Sequence, residues 1–140
     1  MEVERSDARI LVIDSNAHIR RLIVTLLGAL AIRDVAQARN GVAAVAMMQQ
    51  KPRDLVIIDW TVDATDALLF IHRLRRGEFG DAFVPVMALS SSTHHAVLDR
   101  AREAGIDEVI AKPISAVDII QRAGALIDFR NRAKILPAAE

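Results

Sequence analysis

The chain has 140 residues, no cysteine, and eighteen acidic side chains against eighteen basic ones. That length suits one domain with a core large enough to need no staple, and the missing cysteine excludes disulfides, thiolate metal sites and thiol chemistry. Balanced charge removes any global field that would gather nucleic acid or membrane, no apolar run approaches the roughly 20 residues that cross a bilayer, and the start MEVERSDAR is too polar for a signal peptide, so a cytoplasmic domain is expected.

Two hydrophobic rhythms alternate along the chain. ARILVID (8–14) is a short branched apolar run, the pattern of a strand buried on both faces. Ile19, Leu22, Ile23, Leu26, Leu27 and Leu30 then recur at helical spacing, with Asn16 or Ser15 placed to cap the helix. A weaker strand (32–38) leads to a helix (41–50) stopped by Lys51-Pro52. DLVIID (54–59) is again a buried strand. The helix 65–76, capped by Thr65 or Asp66, ends before Gly77. A loop and the strand VPVMAL (84–89) precede a serine-capped helix closed by Gly105. DEVIA (107–111) is a fifth strand, and Ser115 caps a last helix running to Phe129. Strand and crossover helix repeated five times predict an α/β fold, a doubly wound parallel sheet covered on both faces. Residues 8–129 form the expected domain, residues 1–7 an N-terminal tail and 130–140 a C-terminal tail or linker.

Ligands of an open parallel sheet bind outside the carboxyl ends of its strands. Here those ends carry Asp14-Ser15, Asp59-Trp60, Ser90-Ser91 and Lys112-Pro113. Any one alone reads as a loop start or a helix cap. Four on one edge read as a site. Lys112 adds weight, because the chain uses fifteen arginines and only three lysines, and here it takes the compact point charge over the planar fork. A carboxylate attacks phosphorus only when the phosphoryl group is neutralised and oriented. Asp59 as acceptor, Asp14 towards Mg²⁺, and Lys112 with Ser90 on the phosphoryl oxygens would meet that need.

ILVIDSN, DLVIIDWTVDATDA, VPVMALSS and GIDEVIAKPI, in this order and spacing, resemble the receiver domain of bacterial two-component response regulators over about residues 8 to 129. The resemblance implies a flavodoxin-like, five-stranded (βα)5 sheet of order 2-1-3-4-5. It also implies Asp59 as phospho-acceptor, Lys112 with a cis bond to Pro113, Ser90 as the site hydroxyl, and the Thr61 backbone carbonyl as a ligand of Mg²⁺. A histidine kinase or phosphotransfer protein would be the donor, and the helix-4, strand-5, helix-5 face the surface for a downstream protein.

The chain departs from the family pattern. Ser15 stands where a second acid usually contacts the metal, so Mg²⁺ binding is expected to be weak. Val109 replaces an aromatic residue whose rotation reports phosphorylation, and valine has almost no rotamer freedom. Asp63 and Ala67 replace a usual proline and glycine. Two readings stay open: a working, stand-alone receiver with poor metal affinity, or a phosphorylation-independent pseudo-receiver that binds protein as an adaptor.

A third reading uses the arginines. Arg20-Arg21, Arg73 with Arg75-Arg76, Arg100 with Arg102, and Arg130 with Arg132 could fork onto a nucleotide or cyclic dinucleotide, as in some stand-alone receivers, although arginines on polar helix faces are ordinarily just solvated. His94 and His95, adjacent on a helix, point about 100° apart and do not share a metal. DSNAHIR lacks the glycines of a flavin or dinucleotide loop. The chain carries no DNA-binding motif. Trp60 is either a lid over the site or a partner contact, and its indole needs an acceptor if buried.

Overall fold

The computed structural model describes residues 4–61 and 65–135. Among them a short 3-10 turn (Arg5–Asp7) precedes β1 (Arg9–Ile13), α1 (Ala17–Gly28), β2 (Asp34–Ala38), α2 (Gly41–Gln50) and β3 (Leu55–Trp60). There follow α3 (Thr65–Arg75), β4 (Val86–Ser90), α4 (His95–Ala104), β5 (Glu108–Ala111) and α5 (Ala116–Ile135). The strands pair in parallel in the order β2-β1-β3-β4-β5, which is the doubly wound sheet the pattern predicts in the flavodoxin-like order the resemblance implies.

Strand alternation divides the core in two. Leu11, Ile13, Val56, Ile58, Trp60, Val86 and Ala88 face one side and pack under α2, α3 and α4 through Met48, Phe70, Ile71, Leu74 and Ala101. Ile10, Val12, Leu55, Ile57, Met87, Leu89 and Ile110 face the other and pack under α1 and α5 through Ile23, Leu27, Ile119 and Ile127. Each aliphatic side chain fully removed from water contributes about 1.5–3 kcal/mol, so two continuous layers suffice to hold the sheet between its helices.

Several boundaries differ from the pattern-based expectation. Asn16 is the α1 cap, its Oδ1 accepting from the His18 and Ile19 amides, but the helix stops at Gly28 and the chain turns through Ala31 at φ 62° to bury Ile32. The start of α4 is capped by His94, not by serine: Nδ1 accepts from the Ala96 amide, the second of the helix, at 3.2 Å. Thr65 lies inside α3. Asp66 caps a neighbour instead, its Oδ2 accepting from Gly41 at the start of α2 at 2.5 Å. The last helix runs past Phe129 to Ile135 because side-chain ties replace the lost apolar stripe. Arg130 spans Asp54 at 3.4 Å and Asp81 at 2.7 Å, and Asn131 is buried.

Candidate functional site

Three of the expected residues meet at the carboxyl edge of the sheet, and alternation explains why. Asp14, Asp59 and Lys112 each follow by two places a residue of the α1–α5 core layer, Val12, Ile57 and Ile110, so all three continue on the same side. Lys112 Nζ donates to Asp59 Oδ1 at 2.7 Å and lies 3.6 Å from Asp14 Oδ2. The Lys112–Pro113 bond is cis, as the resemblance implied. Burial works against charge on Lys112, but its bond to Asp59 and the field of Asp14 outweigh this and hold its pKa above the ordinary lysine value.

Asp14 is almost fully buried. Its Oδ1 accepts from the Asn16 amide at 2.8 Å, whereas Oδ2 has no hydrogen-bond partner among the described residues. A buried carboxylate oxygen left this way suits a hard cation, which takes oxygen ligands. Among the described residues no three acidic or imidazole side chains converge on one metal position. Asp14 and Asp59 are two carboxylates of the kind Mg²⁺ takes as ligands, and Ser15 is exposed where a third acid would stand. Thr61 is exposed directly after β3, and Asp63 lies outside the described residues.

Ser90 is the member not drawn in. It pairs in register with Trp60, on the opposite alternation from Asp59, and its hydroxyl is spent locally. Oγ donates to the Ser92 carbonyl at 2.8 Å and accepts from the Ser92 amide at 3.2 Å. The Ser90 carbonyl accepts from the Lys112 amide at 2.8 Å, which anchors the lysine-bearing loop. Val109 is half-buried against the α3–α4 side of the core, and Ala67 is buried there.

Most of the arginine pairs hold the molecule together. Arg75 donates to the carbonyls of Ala82, Val84 and Gly105 and pairs with Asp107. Arg73 and Arg76 pair with Glu78. Arg20 donates to the Asp14 carbonyl at 2.7 Å and to Gln37 at 3.1 Å, bracing the β1 end on which the site is built. Sequence reasoning had no means of assigning these bonds, because each acceptor belongs to another element or loop.

Together the three meeting side chains provide a carboxylate nucleophile, a second carboxylate and a fixed ammonium, which is the equipment of an acyl phosphate site.

The family model described as response regulator receiver domain matches residues 10–124. The chemotaxis protein CheY-3 of Vibrio cholerae is 22% identical over 120 residues, covering 86% of this chain and 92% of that protein. The phosphate regulon regulator PhoB of Pseudomonas aeruginosa is 28% identical over 118 residues, and this chain spans about half its length, 51%. Among solved structures, a Francisella response regulator receiver domain superposes with a TM-score of 0.76 at 24% identity, covering 88% of this chain and 98% of that one. NtrX of Brucella abortus superposes at 0.79 and 22% identity, covering 91% of this chain and 28% of that one. These structural likenesses speak to the fold.

Proposed function

This chain belongs to the response regulator receiver family, and on that premise we propose that it accepts a phosphoryl group on Asp59 and signals by protein–protein contact. The family is a signalling module of two-component systems, not an enzyme. The observation that carries the reading is Lys112, whose ammonium bridges Asp59 at 2.7 Å and Asp14 at 3.6 Å.

The donor is the phosphoimidazole of a histidine kinase or a phosphotransfer protein. Lys112 holds Oδ1 of Asp59, which leaves Oδ2 to attack phosphorus. A P–O bond forms, the P–N bond breaks, and the imidazole leaves with the bonding pair and takes up a proton. Lys112 then balances the charge of the phosphoryl oxygens, and Ser90, once released from Ser92, donates to one of them. Bound Mg²⁺ would supply further neutralisation, held by Asp14, Asp59 and the Thr61 carbonyl. The output surface is the α4–β5–α5 face, and residues 8–129 act as the receiver proper, working in the cytoplasm without direct contact to DNA.

Ser15, Val109 and the engaged Ser90 hydroxyl favour a second reading, an adaptor in which Asp59 is never modified. For the nucleotide reading the exposed Arg100, Arg102 and Arg132 remain, since no ion pair within the described residues takes them.

Incubation with acetyl phosphate, with and without Mg²⁺, followed by intact mass measurement, separates the first two. The expected result is one added phosphoryl mass, dependent on Mg²⁺ and absent in Asp59→Asn. No gain at high Mg²⁺ assigns the adaptor role. Calorimetry with cyclic dinucleotides tests the third.

A further inference from the structure

The chain has three asparagines, and only Asn40 is followed by glycine. An Asn-Gly pair is prone to deamidation, because glycine has no Cβ to keep its amide nitrogen away from the asparagine side chain. Here packing demands the glycine: a Cβ at Gly41 would lie 2.8 Å from the Asp66 carboxylate. The same fold ties down both reacting groups. Asn40 Oδ1 accepts from the Ala43 amide at 2.9 Å as the α2 cap, and the Asn40 carbonyl accepts from the Ala44 amide at 3.0 Å. The Gly41 amide, the nucleophile of the reaction, donates to Asp66 Oδ2 at 2.5 Å. That amide must lose its proton to react, and a carboxylate bonded to it opposes the loss.

We propose that Asn40 is a deamidation site whose rate in the folded protein is set by the bond between the Gly41 amide and Asp66. When that bond opens, the Gly41 nitrogen gives up its proton and attacks Cγ of Asn40. A C–N bond forms, the Cγ–Nδ2 bond breaks, and ammonia leaves with the proton, giving a five-membered imide. Water then opens the imide at either carbonyl, to aspartate or to isoaspartate, with no change of oxidation state. Aspartate at position 40 still caps α2 but adds a second carboxylate at the helix start that Asp66 already occupies. Isoaspartate lengthens the main chain by one methylene and moves Gly41 off Asp66. Both products loosen the start of α2, which reaches the core through Ala44 and Met48. Asp66 thus requires the glycine and guards the pair that the glycine creates. No residue of the Asp14–Asp59–Lys112 cluster takes part.

Peptide mapping by mass spectrometry, after incubation at mildly alkaline pH, reads the amide-to-acid conversion at Asn40. The folded wild-type protein is expected to convert slowly. Asp66→Ala should convert at least about tenfold faster, the effect of losing one charge-assisted hydrogen bond. Asp66→Asn keeps a neutral acceptor and should fall between the two. Ile119→Val, in the opposite core layer, lowers stability without touching this contact and should leave the rate near that of wild type. Protein carrying isoaspartate, separated by ion exchange, should lose protection of the Gly41 and Ala43 amides against hydrogen exchange. An unchanged rate in Asp66→Ala overturns the proposal. So does an equal acceleration in Ile119→Val, which would assign the protection to global stability. Amides still protected in the isoaspartate form would overturn the loosening of α2.

Discussion

Lys112, at the end of β5, places its ammonium 2.7 Å from the carboxylate of Asp59, 53 residues earlier at the end of β3. This contact raises the lysine pKa, and a raised value sets the sign of a pH effect. The stabilisation is fully present below the unfolded lysine value of about 10.4 and is lost as pH rises through the folded value above it. The chain has neither tyrosine nor cysteine, so few other groups titrate in that window. Lys112→Met should cost about 1–3 kcal/mol at neutral pH, between the figures for exposed and buried ion pairs. Urea unfolding of both proteins should show that gap closing at alkaline pH. A gap that stays constant there would mean the ion pair is not its source.

Ser15→Asp should tighten Mg²⁺ by at least about tenfold. An added charge about 4 Å from the cation is worth at most about 4 kcal/mol at an effective dielectric of 20, and water filling the vacancy reduces the gain. Calorimetric titration, or quenching of the single tryptophan, measures it. Unchanged affinity would place the metal away from the β1 tip.

Gly41 is held close to Asp66, and a Cβ there would sit 2.8 Å from the Asp66 carboxylate. Gly41→Ala should therefore displace the α2 cap and cost about 1 kcal/mol, with Asp66→Ala costing a similar amount. Because both act on one contact, the double variant should lose less than the sum of the two. Thermal unfolding of the four proteins tests this, and full additivity would dismiss the cap.

Gly124 lies within α5 under the guanidinium of Arg5, which pairs with Asp128 and holds that carboxyl below its ordinary pKa. The nearest atom to an added Cβ is 3.3 Å away and belongs to the end of a long exposed side chain, which can yield. Gly124→Ala should then stabilise the protein by about 0.5–1 kcal/mol through helix propensity. A loss of stability in denaturant titration would show instead that the Arg5 strap is rigid.

Much of this molecule is legible in the order of its residues. The alternation of branched runs with amphipathic stripes is a local property, and so are the Asn16 and Ser115 caps and the left-handed Gly105 that closes α4. They determined the number of strands and helices, and four polar strand ends marked the edge where chemistry belongs. What local pattern does not contain is which side chain meets which across strands. Only the folded sheet decided that Asp14, Asp59 and Lys112 converge while Ser90 falls on the opposite alternation from Asp59. The same holds for Arg75, spent on loop carbonyls. The reason is physical: periodicity and capping act within a few residues, whereas these contacts depend on strand order, register and the packing of helices far apart in the chain.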